Sequence, residues 1–137
     1  MKHLTLPNDI EAIPQLNVFI DNFCEEQGID MNIAMSLNLA IEEAVVNVMN
    51  YAYPVGTVGY VDIEAEADEK NVTFVISDTG KPFDPTRKEE PDITLSAEER
   101  PVGGLGIHLV RQIMDTITYD YADHKNILTL RKKLNKQ

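Results

Sequence analysis

Three short stretches of this sequence place chemically capable residues at useful spacings. In "AIEEAVVNVMNYAYP", residues 40–54, Glu43 and Asn47 stand four apart, so on a helix they project side by side. A carboxylate there can accept a proton or orient water, and an amide oxygen can ligate a hard cation such as Mg²⁺. In "VISDTGKPFDP", Asp78 and Gly80 follow an apolar run. In "RPVGGLGIHLV", Gly103, Gly104 and Gly106 stand just before a helical pattern, where glycines let backbone N–H groups approach an anion closely. Each group also has a plain structural reading: a solvated helix face, an Asx turn, a flexible loop. A Rossmann reading fails because the glycines follow a polar loop and not a strand. A Walker A reading fails because no Lys-Ser/Thr follows the last glycine.

These residues need elements to position them. Residues 2–6 read as a short strand ended by Pro7, and a turn follows at Asn8–Glu11. A helix is expected from Ile13 to Gln27, with Pro14 in its first turn and Gly28 closing it. Asp30 caps a second helix running to about Ala52 and stopped by Pro54. On that helix Ala34, Leu37, Ile41, Ala44, Val45 and Val48 gather on one side. Asn32, Ser36, Glu43, Asn47 and Asn50 form a narrow polar stripe opposite, flanked by Met35, Leu39, Val46 and Met49. Such a stripe suggests a helix lining a pocket, although a solvated face bearing amides would read the same way.

Two strands follow, one carrying Val61, Ile63 and Ala65, the other Val72, Phe74 and Ile76. Thr79 to Gly106 has no sustained periodicity, and a stretch this long and irregular in one domain points to function or mobility. A helix at about Leu105–Met114 and closing strands at 116–122 and 126–133 complete the order. The expected architecture is an α+β two-layer sandwich, helices on one face of a mixed, mostly antiparallel sheet.

Composition sets the outer bounds. The chain has 137 residues, one domain's worth, and a net charge of −11 spread along its length. No basic face exists to neutralise phosphates, which excludes a general nucleic-acid binder. Cys24 is the only cysteine, so no intrachain disulfide or thiolate metal site can form. It is expected as a small buried hydrophobe. No stretch reaches transmembrane length and the N-terminus has no apolar signal run, which suggests a cytoplasmic protein.

In combination and in this order, Glu43-x-x-x-Asn47, Asp78-x-Gly80 and Gly104-x-Gly106 resemble the Bergerat-type ATP-binding fold of gyrase, heat-shock ATPases, MutL proteins and histidine kinases. The wording "EEAVVN", "DTGKPFDP" and "ERPVGGLGIHLVRQIMD" is similar to the bacterial anti-sigma-factor serine-protein kinases. The resemblance implies ATP with Mg²⁺ ligated by Asn47, Glu43 as general base, and Asp78 accepting from the adenine amino group beside Gly80. It implies phosphates lined by Gly103, Gly104, Leu105 and Gly106, with Asn50 also facing the nucleotide. A lid over about 85–102 would carry Arg100 toward the transferring phosphoryl group, and Thr129 would lie near the adenine. The implied partners are a STAS-type anti-sigma-factor antagonist as substrate and a sigma factor or similar target held inactive, with the kinase as a homodimer. A nucleotide-dependent binding module without kinase activity is the alternative from a different functional class.

Overall fold

A computed structural model describes residues 2–54, 56–87 and 106–134. Strand β1 spans Lys2–Pro7, followed by helices α1 (Ile13–Gln27) and α2 (Met31–Tyr51). Strands β2 (Tyr60–Ala67) and β3 (Asn71–Asp78), helix α3 (Gly106–Ile113) and strands β4 (Thr116–Ala122) and β5 (Lys125–Lys133) complete the order. Short 3-10 turns lie at Ile10–Ala12 and Pro85–Arg87.

Local chemistry explains the boundaries. Gly28 ends α1 in the left-handed conformation, φ 67°, with its N–H on the Cys24 and Glu25 carbonyls. The Asp30 carboxylate accepts from the backbone N–H of Asn32 at 2.7 Å, satisfying one of the donors that open α2. On β2, β3 and β5 the alternate residues Val61, Ile63, Ala65, Phe74, Ile76, Leu128 and Leu130 are buried against the helices. Phe23 of α1 meets Phe74 of β3 edge to face, ring centroids 5.9 Å apart. Cys24 is buried in the same core, and that burial, with Asp21 nearby, pushes its thiol up to about 11. It is a packing residue, not a nucleophile.

The strand order is β1-β2-β3-β5-β4 and every pairing is antiparallel. The expected α+β sandwich is therefore observed, but the sheet is not mixed among the described residues. β3 and β4 do run in the same direction; they never touch because β5 folds back between them. The β4–β5 hairpin turns on Asp123 and His124, both at positive φ (54° and 63°). That is the geometry a two-residue type I′ turn requires, and His is a poor residue for it. Replacing His124 with Gly should relieve about 1–2 kcal/mol of left-handed strain, against about 0.4–1 kcal/mol of added unfolded-state freedom. A net stabilisation of about 0.5–1 kcal/mol is expected in denaturant unfolding; a loss of stability would refute the assignment of strain to this turn.

Candidate functional site

Asn47, Asp78 and Asn126 are nearly inaccessible, at 1%, 3% and 4% exposure, and they concentrate buried polarity in one region. On α2, the Asn47 amide nitrogen donates to the Glu43 carbonyl one turn back at 2.9 Å. This bond fixes the amide's orientation and leaves its oxygen buried with no hydrogen-bond partner. The half-buried Glu43 lies on the same helix face. Its carboxylate carries no hydrogen bond or ion pair among the described residues.

The second part of the site hangs on the end of β3. Asp78 pairs in register with Asn126 of β5. Its Oδ1 accepts from Asn126 Nδ2 at 3.0 Å and from the Gly80 backbone N–H at 2.8 Å. Its Oδ2 is buried and has no partner. Asn126 is saturated: Nδ2 also donates to the Lys81 carbonyl at 2.8 Å, and Oδ1 accepts from the Phe83 N–H and the Tyr119 hydroxyl. One amide thus ties the 80–83 loop to the sheet and directs the free oxygen of Asp78 away from itself. Burial pushes the Asp78 carboxyl above its ordinary range, opposed by the bonds from Asn126 and Gly80.

The two parts are joined where α2 ends. Lys81 N–H donates to the Ala52 carbonyl at 2.8 Å, and a Cβ on Gly80 would sit 2.4 Å from that same oxygen. Only glycine lets the loop come this close. Tyr53, also buried, donates its hydroxyl to the Tyr60 carbonyl at 2.8 Å and accepts from the Thr79 N–H at 3.1 Å. Gly59 makes room for that ring, since a Cβ there would fall 2.4 Å from it. Tyr51 stacks on Phe83, centroids 5.4 Å apart.

The structure thus sets Gly80, two residues past Asp78, against the end of the helix that carries Glu43 and Asn47. Asn50 is turned toward a recess of about 520 Å³ that it shares with Asn8, Met49 and Tyr53. Gly106 opens α3, which packs on α2 through the buried Ile107 and Val110. Arg100, Gly103, Gly104, Leu105 and most of the expected lid lie outside the described residues. Thr129 is a correction. It alternates with the buried Leu128 and Leu130, so it points to the outward face of the sheet, opposite Val75 and Thr118. Asn126 occupies the site instead. Its signal was an amide in phase with the core leucines of β5; Tyr119, Tyr53 and the Ala52 carbonyl gave none.

Free acceptors at Asn47 and Asp78 suit a cation and a hydrogen-bond donor respectively. Mg²⁺ commonly takes a single protein ligand beside phosphates, so Asn47 fits it without a carboxylate cluster, and none is found among the described residues.

The fold and these polar groups together define a nucleotide-binding ATPase-type domain. The histidine kinase-like ATPase domain model matches residues 6–132, and the chain belongs to that family. Within it, the chain is 29% identical over 98 residues to the serine/threonine-protein kinase BtrW of Bordetella bronchiseptica, covering 72% of this chain and 69% of that protein. It is 26% identical over 138 residues to the serine-protein kinase RsbW of Listeria monocytogenes, covering 98% and 87%. The fold of the RsbU and RsbW domains of Rv1364c from Mycobacterium tuberculosis matches all of this chain with a TM-score of 0.64 at 16% identity. The match spans 34% of that longer chain. The histidine kinase AdeS of Acinetobacter baumannii matches 99% of this chain and 70% of its own, with a TM-score of 0.54 at 15% identity. The anti-sigma kinase resemblance is thereby borne out at the level of the family.

Because its folded pKa is raised, Asp78 favours the folded state below the ordinary carboxylate range and disfavours it as pH rises toward the raised value. Asp78→Asn keeps the acceptor for Asn126 and Gly80 but cannot ionise. Thermal unfolding should show it more stable than wild type at neutral pH, with the gain vanishing toward about pH 4. A constant difference across that range would refute the burial argument.

Proposed function

We propose that this protein is an anti-sigma regulatory serine/threonine-protein kinase. It transfers the γ-phosphoryl group of ATP to a hydroxyl on a STAS-type antagonist protein, and in its other state it holds a sigma factor or similar target inactive. The observation that carries the reading is a pair of buried, unpartnered acceptors, Asn47 Oδ1 on α2 and Asp78 Oδ2 at the end of β3, with the half-buried Glu43 one turn before Asn47. The relatives named as serine-protein kinases support the activity, and the match to the histidine kinase-like ATPase domain supports ATP as donor.

Asp78 Oδ2 accepts a hydrogen bond from the adenine amino group, which recovers the partner that this oxygen lacks. A guanine presents a carbonyl at that place and meets a second acceptor, so the same oxygen discriminates against GTP. Asn47 Oδ1 holds Mg²⁺, which supplies charge neutralisation on the phosphates when bound. Gly103, Gly104, Leu105 and Gly106 line the phosphates, and Arg100 in the lid brings positive charge to the transferring group. Glu43 takes the proton of the acceptor hydroxyl as the new oxygen–phosphorus bond forms and the bond to ADP breaks. The active assembly is a homodimer in the cytoplasm.

The test is transfer of γ-labelled phosphate from Mg-ATP to a purified STAS-domain protein of the same organism. Label on a serine or threonine is expected, reduced about 100-fold or more in Glu43→Ala. Asp78→Asn should abolish ATP binding, because its amide would meet the adenine amino group donor to donor. Undiminished transfer by Glu43→Ala refutes the base. ATP binding and partner binding without any transfer leaves a sequestering module in place of a kinase.

A further inference from the structure

The acidic residues of this chain are spread along it, but the basic ones are not. Between Asn8 and Gly59 there are eight Asp and Glu side chains and no Lys, Arg or His. This is the whole of the α1–α2 hairpin. Among the described residues, the one ion pair made to it is Lys2 Nζ on Glu26, at 3.2 Å. The α1–α2 hairpin therefore carries eight acidic side chains and no cation of its own, although the chain as a whole carries twelve; Arg111 on α3 is the cation of the helical layer among the described residues.

On this layer α2 exposes a row of apolar side chains. Met31, Met35 and Leu39 recur every fourth residue at 77%, 65% and 44% exposure, where most large apolar residues of the chain are buried. Val46, half-buried, extends the row by two turns, and Glu42 and Glu43 sit between. The row does not collapse onto α1, because the seam between the helices is polar. Asn17 Nδ2 donates to Asn38 Oδ1 at 3.2 Å, and Asn38 Nδ2 donates to Asp21 Oδ1 at 2.7 Å. Beyond that seam Val18 is also exposed, at 59%. An aligned methionine row on an acidic helical face suits an adaptable apolar contact, since the unbranched thioether repacks around different partners.

We propose that the outward face of α2, centred on Met31, Met35 and Leu39, docks a basic, amphipathic helical segment of a protein partner. The charge decides among occupants. A second copy of this face brings the same negative field, and anionic lipid or nucleic acid is repelled likewise. A helix with an apolar stripe bordered by Lys and Arg fits both features at once, its stripe on the methionines and its cations over the surrounding carboxylates. Docking of this kind is independent of catalysis. On the kinase function proposed above, Leu39 lies one turn before Glu43 and the docked partner is held beside the base.

The test uses a fluorescent synthetic helix of Leu and Lys arranged to be amphipathic, titrated with the full chain at physiological salt and followed by anisotropy. Met31→Gln/Met35→Gln/Leu39→Gln changes exposed positions only, so its unfolding temperature should match wild type. Its affinity for the peptide should fall about tenfold or more. The control variant Val58→Gln, at another exposed apolar position, should bind as wild type does. A scrambled peptide of the same composition should bind the wild-type chain as weakly as the amphipathic peptide binds the triple variant. Equal binding by the triple variant, or by the scrambled peptide, overturns the proposal, since charge alone then explains the affinity. A drop in sedimenting mass in the triple variant also overturns it, by making the face a self-association surface.

Discussion

The hydrogen bond from Asn126 to Asp78 is the constraint on which the site is built. A lone carboxylate at 3% exposure would adopt whatever contact its neighbours offered, and both oxygens would be consumed. Here one side chain, itself saturated by four partners, occupies Oδ1 together with Gly80 and leaves Oδ2 with nothing. An unpartnered buried acceptor costs about 1–3 kcal/mol, which a matching donor would recover. The fold stores that deficit in its least compliant region, the central strands β3 and β5, where backbone pairing on both sides prevents local relaxation.

Each layer contributes one component. The sheet fixes the free oxygen of Asp78; the helix fixes the free oxygen of Asn47 by bending its amide back to Glu43. Neither would be in register with the other without the clamp at the end of α2. The Ala52 carbonyl receives Lys81, Gly80 lies flat against it, and the Tyr53 hydroxyl spans from β2 to the residue after Asp78. These contacts use backbone groups at a helix terminus that would otherwise be orphaned, so the positioning of the site and the satisfaction of the helix end are one arrangement.

Most of this frame was legible in the sequence. Periodicity gave α1, α2 and the β2–β3 pair to within about a residue, because their buried faces are unbroken and their ends carry strong signals in Gly28, Asp30 and Pro54. Glu43, Asn47, Asp78 and Gly80 stood out because polar residues interrupted apolar patterns at fixed spacing. Thr129 misled because a threonine in a late strand gives no clue to which face it occupies; that depends on register, set by the turn at Asp123–His124. Asn126 was overlooked for the converse reason, since its meaning comes from lying opposite Asp78, forty-eight residues away. The sequence implies a mostly antiparallel sheet but not that every pairing is antiparallel, because the choice of which strand of the last hairpin lies inward is not a local property.

That inward placement of β5 has a consequence for how the protein comes into being. During synthesis Asp78 is made well before Asn126, and β4, whose sheet partner is β5, joins the sheet only once β5 seats beside β3. Until then Asp78 lacks the Asn126 amide, and the 80–83 loop is held by Lys81 on the Ala52 carbonyl without its bonds to the sheet. A chain that ends before β5 keeps Asp78 but loses the amide that occupies its Oδ1, and with it the leucines that close the core under α1 and α2.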